Sequence, residues 1–212
     1  MSFMEYNEKQ IQIIDAAEKR FAENGFEGTS VRDIASDAGI NIAMISYYFG
    51  SKEKLLEAIF NHRIKTTGSN IEKIINNNNL NPIQKIDKFI DNYIERMMQN
   101  QSFYLLMMQE PSLKDLHHTS DIVYEAKMQN MELIKKTIQE GQAQGTFKKN
   151  IDIAMMVMTM IGTANHFITT QQFYRRYNNM VNTDDLEFQK LMKKKLSHHL
   201  KALFKSSLTN AV

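Results

Sequence analysis

The sequence predicts an all-α fold of nine or ten helices. Apolar residues recur at spacings of three and four through long stretches of the 212-residue chain. Alternating β-branched runs between turn residues, which mark strands, are missing from it. Only two prolines, Pro82 and Pro111, and eight glycines interrupt the pattern. A hydrophobic fraction of 42% suffices for a packed core, and 24% charged residues is ordinary for a soluble globule.

Residues 6–24 form the first helix, with Ile11, Ile14, Ala17 and Phe21 on one face. Gly25 ends it, because the left-handed turn past a helix end costs glycine least. In "TSVRDIASDAG" a short second helix follows, with Ser30 and Asp33 in capping-box register and Gly39 as the stop. Asn41 caps a third short helix that runs to Phe49, and Ser51 caps a long fourth, apolar at Leu55, Leu56, Ile59 and Phe60. The asparagine run before Pro82 separates it from helices at 83–98 and 103–109, and Pro111 breaks the chain again. A longer helix covers 121–141, and "GQAQGTF" is a glycine-punctuated turn. Residues 153–177 form the next helix, and after a polar loop Asp184 or Asp185 caps a last one ending near Phe204.

Composition excludes several function classes. Without cysteine there is no disulfide, thiolate zinc site or cysteine nucleophile. No phosphate loop, Gly-x-Ser-x-Gly elbow or paired carboxylates stand out, so neither an enzyme nor a cofactor is expected. The pairs His117–His118 and His198–His199 are not expected to hold a metal, since adjacent helical residues point about 100° apart. The N-terminus lacks the pattern of a signal peptide, and a cytoplasmic protein is expected. The most apolar window, 151–168, is interrupted by Asp152, Asn165 and His166. It falls short of the roughly 20 apolar residues of a bilayer span and reads as a core or oligomer-interface helix. "KLMKKKLSHHLKALFK" reads as a bundle helix with a charged outer face, so no membrane partner is expected.

The stretch from Val31 to Tyr48 meets the demands of a helix-turn-helix. Ala35 is small where the second helix crosses the first, and Gly39 sits where positive φ costs other residues about 1 kcal/mol. Ile34, Ile40 and Ile45 fall on the inner face, and Phe49 shares their register. Tyr47 and Tyr48 fall outside it and read as surface. In this arrangement the second helix enters the major groove of DNA. The charge balance does not advertise it. Residues 1–65 hold eight Lys and Arg against ten Asp and Glu, a net −2, where nucleic-acid binders are usually basic.

On these residues the chain resembles the TetR (tetracycline repressor) family. "TSVRDIASDAGINIAMISYYFGSKEKLLEAIF" looks like its DNA-binding domain, with a match that begins upstream at "IIDAAEKRFAENGFEGTSV" and covers about residues 9–60. "EGQAQGTFKKNID" resembles the turn that many members place before their first dimerisation helix. The resemblance implies a DNA-binding domain at 1–60 and a helical ligand-binding and dimerisation domain at 61–212. It implies a DNA-binding regulator, a ligand-released repressor, acting as a homodimer through its last two helices. Ser30, Tyr48 and Lys52 match residues that hold phosphates of double-stranded DNA. Ile42, Ala43, Met44 and Tyr47 match residues that approach base edges, and Thr29, Asn41 and Ser46 complete the expected DNA face. Ile42 stands where the family is often basic or polar, and Ser46 where it is commonly aromatic. A helical interaction module of the same fold without sequence-specific DNA binding is the alternative.

Ten of the fifteen methionines lie between Met97 and Met160, where the second domain's interior would form. Methionine suits pockets that adapt to varied apolar ligands, and it equally suits plain core. The expected lining for a small apolar or amphipathic effector is Phe89, Tyr93, Met97, Phe103, Met107, Tyr124, Met128, Met131, Met158 and His166.

Overall fold

Helix starts follow the caps that the sequence supplies. The structure, a computed structural model, describes residues 6–109 and 117–209, with the side chains of 65–69 and 117–120 left aside. The helices among them are α1 (Glu8–Asn24), α2 (Val31–Asp37), α3 (Ala43–Phe49), α4 (Lys52–Ile75), α5 (Pro82–Gln99), α6 (Gln101–Gln109), α7 (His117–Ala143), α8 (Ile153–Tyr177) and α9 (Asp185–Leu208). Asn7, Ser30 and Asn81 each close a capping box with the residue three positions on. Asp184 accepts from the N–H groups of Leu186 and Glu187 at the start of α9. The break expected at Pro111 and the pair His117–His118 fall outside the described structure or side chains.

The chain divides into two compact units, Met1–Ser69 with Ser102–Met128, and Asn70–Gln101 with Gln129–Val212. This differs from the division at residue 60 expected from the sequence. The first unit takes in α6 and part of α7 because α6 packs on the head: the Phe103 and Phe60 rings lie 5.6 Å apart, and the Gln109 amide donates to the Ala22 carbonyl at 3.2 Å. Its core is built from Ile13, Ile14, Ala17 and Phe21 of α1, Ile34 and Ala35 of α2, Ile45 and Phe49 of α3, and Leu55, Leu56, Ile59 and Phe60 of α4. Gly25 and Gly39 both adopt positive φ, as their positions demand.

In the second unit α5 packs on α9. Ile86, Phe89, Ile90, Ile94 and Met97 are buried on one helix, and Phe188, Met192, Leu196, Leu200 and Phe204 on the other. At the edge of that contact Asp91 accepts from Ser197 at 2.6 Å and from Lys201 at 2.5 Å. After α7 the chain folds back sharply, with Phe147 buried against Gly141, where a Cβ would come within 2.2 Å of the ring. Helix α8 bends at Thr170, whose φ and ψ of −119° and 19° are not helical. The hydroxyls of Thr169 and Thr170 donate to the His166 carbonyl there, at 3.0 and 2.6 Å. The turn into α9 is closed by buried Arg175. Its guanidinium donates to the Thr183 carbonyl at 2.8 Å and to Asp185 at 2.6 Å, and lies 3.8 Å over the Phe188 ring.

Candidate nucleic-acid interface

Helix α3 is seven residues long and is held by its inner face alone, through Ile45 and Phe49. So short a helix has little stability of its own, and its orientation is set by what it packs on. Ile45 is buried, as are Ile34 and Ala35 of α2, and the Ile40 N–H donates to the Ala35 carbonyl at 3.0 Å, fixing the turn. At the entry to α3 the N-cap is Ile42, without a side-chain cap bond, rather than the expected Asn41, whose carboxamide oxygen accepts from the Ala43 N–H at 2.9 Å in an Asx turn one residue earlier.

The opposite face is open. Ile42, Ala43, Ser46 and Tyr47 are exposed, and Tyr47 keeps 82% of its surface. Met44 and Tyr48 are half-buried at its margins. The Tyr47 and Tyr48 rings meet edge to face at 5.1 Å, with both hydroxyl-bearing rings outside the core. Ser30 and Asn41 are exposed at the two ends of the supporting pair. Eight of the ten residues expected on the DNA face are therefore exposed or half-buried.

The other two are turned elsewhere. Thr29 is buried, contrary to its place in the expected DNA face, because its hydroxyl closes the loop between α1 and α2. It donates to the Gly25 carbonyl at 2.8 Å and lies 3.2 Å from that of Arg20. The Lys52 ammonium donates to the Phe26 carbonyl at 3.0 Å and to that of Thr29 at 3.2 Å, and lies 4.2 Å over the Phe26 ring. Sequence reasoning passed over Arg32 and Lys54, which are exposed cations on α2 and α4, the helices either side of α3. Their nearness in sequence to Ser30 and Ser51 was the available signal.

The acidic balance of the head is absorbed internally. Arg20 forms a two-pronged pair with Asp37 that ties α1 to α2, and this pair holds the Asp37 carboxyl below its ordinary pKa. Arg63 bridges α4 to Glu18 and Asp15 of α1 at 2.7 and 2.9 Å. Burial raises the Glu18 pKa even so. The Ser30 hydroxyl and N–H both donate to Asp33, which lowers its pKa.

The residues expected to line the effector site are divided between the two units. Phe103, Met107, Tyr124 and Met128 belong to the first unit, and Phe89, Tyr93, Met97, Met131, Met158 and His166 to the second. Phe89, Met97 and Phe103 are buried, and Tyr93, Met107 and Met131 half-buried. Tyr124, Met128, Met158 and His166 are exposed, because their turns of α7 and α8 face away from the cores. A cleft of about 380 Å³ between α5 and α9 is lined by Asp91, Ile94, Glu95, Lys190, Lys193, Lys194 and Ser197. Its charged walls do not suit an apolar ligand, and none of the ten lies on it. On α8 the exposed residues Met155, Met158, Gly162, His166, Thr169, Phe173 and Tyr177 recur at spacings of three and four. By length and composition this helix could cross a membrane, and 28% of its most apolar window is buried in the protomer.

A family model described as bacterial regulatory proteins, tetR family, matches residues 13–59, and one described as tetracyclin repressor-like, C-terminal domain, matches residues 82–196. The fatty acid metabolism regulator protein of Bacillus subtilis is 26% identical over 178 residues, spanning 76% of this chain and 82% of that one. The transcriptional repressor NicS of Pseudomonas putida is 27% identical over 161 residues, 76% of this chain and 75% of its own. Among solved structures, the ketosteroid transcriptional regulator KstR2 of Mycobacterium tuberculosis superposes with a TM-score of 0.75 at 19% identity, covering 98% of both chains. FadR of Bacillus subtilis in complex with stearoyl-CoA does so with a TM-score of 0.69 at 22% identity, over 93% of this chain and 98% of that one. At these identities the structural likeness speaks for the fold.

Proposed function

The chain belongs to the TetR family of bacterial regulatory proteins and is a DNA-binding transcriptional regulator, and from that premise we propose that it is a homodimeric repressor released from its operator by an effector. The observation that carries this reading is the open face of α3. Ile42, Ala43 and Tyr47 are exposed on α3, whose Ile45 is buried as Ile34 and Ala35 of α2 are, and no described residue of the head covers them. Apolar side chains there fit the C5-methyl groups of thymine, and the tyrosine hydroxyl can bond a base or a phosphate. Ser30, Asn41, Ser46 and Tyr48 frame that contact, with Arg32 as a cation toward the backbone. Two such heads would read a near-palindrome with half-site centres about 34–36 Å apart.

The dimer reading rests on the exposed stripe of α8, extended by exposed Val181 and Leu186 toward α9. An exposed stripe with apolar side chains at both ends, Met155 and Met158 and then Phe173 and Tyr177, fits an interaction surface, and a twofold contact makes it self-complementary. For the effector, the relative named for fatty acid metabolism, and the neighbour solved with stearoyl-CoA, support an amphipathic ligand of the long-chain acyl class. Such a ligand acts by binding better to the state whose heads are wrongly spaced for DNA.

The test is binding to the DNA upstream of the protein's own gene, against random duplex of equal length. The wild type is expected to prefer the former, and Tyr47→Ala and Ile42→Ala to lose that preference while keeping non-specific affinity. Stearoyl-CoA is expected to release the complex. A wild type with no preference would leave the fold as an interaction module and end the repressor reading.

A further inference from the structure

Lys52 begins α4, yet its ammonium reaches back to the loop between α1 and α2. Two of its three donors are spent on the Phe26 and Thr29 carbonyls, and its charge rests on the Phe26 ring. The same loop is held from inside by the Thr29 hydroxyl on the Gly25 and Arg20 carbonyls, and by the Thr29 N–H on the Phe26 carbonyl at 3.3 Å. The next residue, Ser30, caps α2. Lys52 therefore joins the segment that launches α2 to the start of α4, three residues beyond the end of α3, and closes the whole helix-turn-helix into a ring. A clasp between positions 23 and 26 residues apart removes much of the freedom with which two seven-residue helices could shift.

We propose that Lys52 is a positioning residue for DNA recognition: it clasps the loop of residues 25–30 against the start of α4 and so fixes the angle at which α3 is presented. The proposal rests on the DNA-binding reading of α3, and it differs from a phosphate contact in what its loss does. A lost phosphate contact releases one counterion fewer per protomer. The slope of log K against log salt then becomes shallower by about 0.9 per protomer, nearly 2 for a dimer. A lost clasp lowers affinity at every salt concentration and leaves the slope where it was.

The experiment pairs two measurements on the full-length protein. Operator affinity for wild type and Lys52→Met is followed across a salt series. In the free protein, amide exchange is followed at Thr29, Ser30 and Val31. The clasp predicts about a tenfold or greater loss of affinity at unchanged slope, with faster exchange at those amides. Lys52→Arg, whose planar fork can reach both carbonyls and stack on the ring, is expected to restore the protection. Lys52→Leu, which likewise has no donor, takes the place of Lys52→Met should the latter not fold, with the same expectations. A slope shallower by about 2, or loop amides as protected as in the wild type, overturns the proposal. If the wild type has no operator preference, the regulator reading fails, and the exchange arm still decides whether the clasp exists.

Discussion

Replacing Arg175 by methionine tests what holds the turn between α8 and α9. The substitution keeps most of the aliphatic stem and removes the guanidinium. One charge-assisted bond to the Thr183 carbonyl is lost, at about 1.5–3 kcal/mol, and the contact over the Phe188 ring, at about 1–2 kcal/mol. The pair with Asp185 adds little, because that carboxylate keeps 96% of its side-chain exposure and is screened by solvent. Part of the loss is returned by the buried thioether, so the net cost is about 2–4 kcal/mol. Urea unfolding followed by circular dichroism at fixed chain concentration measures it, since the stability of the proposed dimer would depend on concentration. Arg175→Lys is expected to rescue little, for an ammonium has no planar fork to lay on the ring. Phe173 and Tyr177 flank Arg175 on the exposed side of α8, stacked at 6.0 Å, so the dissociation constant of the dimer is expected to rise as well. The reasoning is refuted if Asp185→Ala costs as much as Arg175→Met, because the exposed ion pair would then be the fastening.

Three further expectations follow from single positions. A Cβ at Gly162 meets nothing within 4 Å in the protomer, so Gly162→Ala is expected to stabilise α8 by about 0.5–1 kcal/mol; if a second copy crosses at this open point, sedimentation will show a weaker dimer, and an unchanged dimer would sink that crossing. Gly141→Ala drives its new methyl into the Phe147 ring and is expected to cost about 1–3 kcal/mol by urea unfolding, with part recovered in a Phe147→Leu background. The lowered pKa of Asp33 means that its contribution to stability is present above its ordinary value of 3.8 and is lost as pH falls through the folded one. Thermal unfolding of Asp33→Asn should accordingly fall less steeply than wild type over that acid range, and parallel curves would count against it.

What the sequence made legible is what is local. Ser30 with Asp33, Ser51 and Asp184 each act on backbone within three residues and are found capping where their spacing says, while Asn41 closes an Asx turn one residue ahead of the α3 cap. The burial of Ile34, Ala35, Ile45 and Phe49 follows from helical period alone. Periodicity says which face of a helix is apolar but not whether anything covers it, which is why Tyr124, Met128, Met158 and His166 looked like interior and are exposed. Contacts between distant positions leave no local trace. The attachment of α6 to the head through Phe103 and Gln109 moved the unit boundary, and the hold of Lys52 on a loop 23 residues back changed which way its charge points.

The same long-range contacts explain how a head with a net charge of −2 can serve DNA. Arg20 and Arg63 are committed to Asp37, Glu18 and Asp15, and Lys52 to carbonyls, so bulk composition misstates what faces solvent. Arg32 and Lys54 remain exposed on the helices that flank α3, with Lys9 and Lys19 exposed on α1. Two or three cationic phosphate contacts per protomer give a dimer a slope of log K against log salt between about −3.5 and −5.5. Affinity would then depend on salt less steeply than in a reader with a basic groove, and discrimination would rest on Ile42, Met44 and Tyr47. A measured slope steeper than about −8 requires roughly nine contacts, more than this head can supply from exposed cations beside α3. In that case the committed arginines or Lys52 must let go of their partners on DNA, and the head could not be the rigid reader described by its free structure.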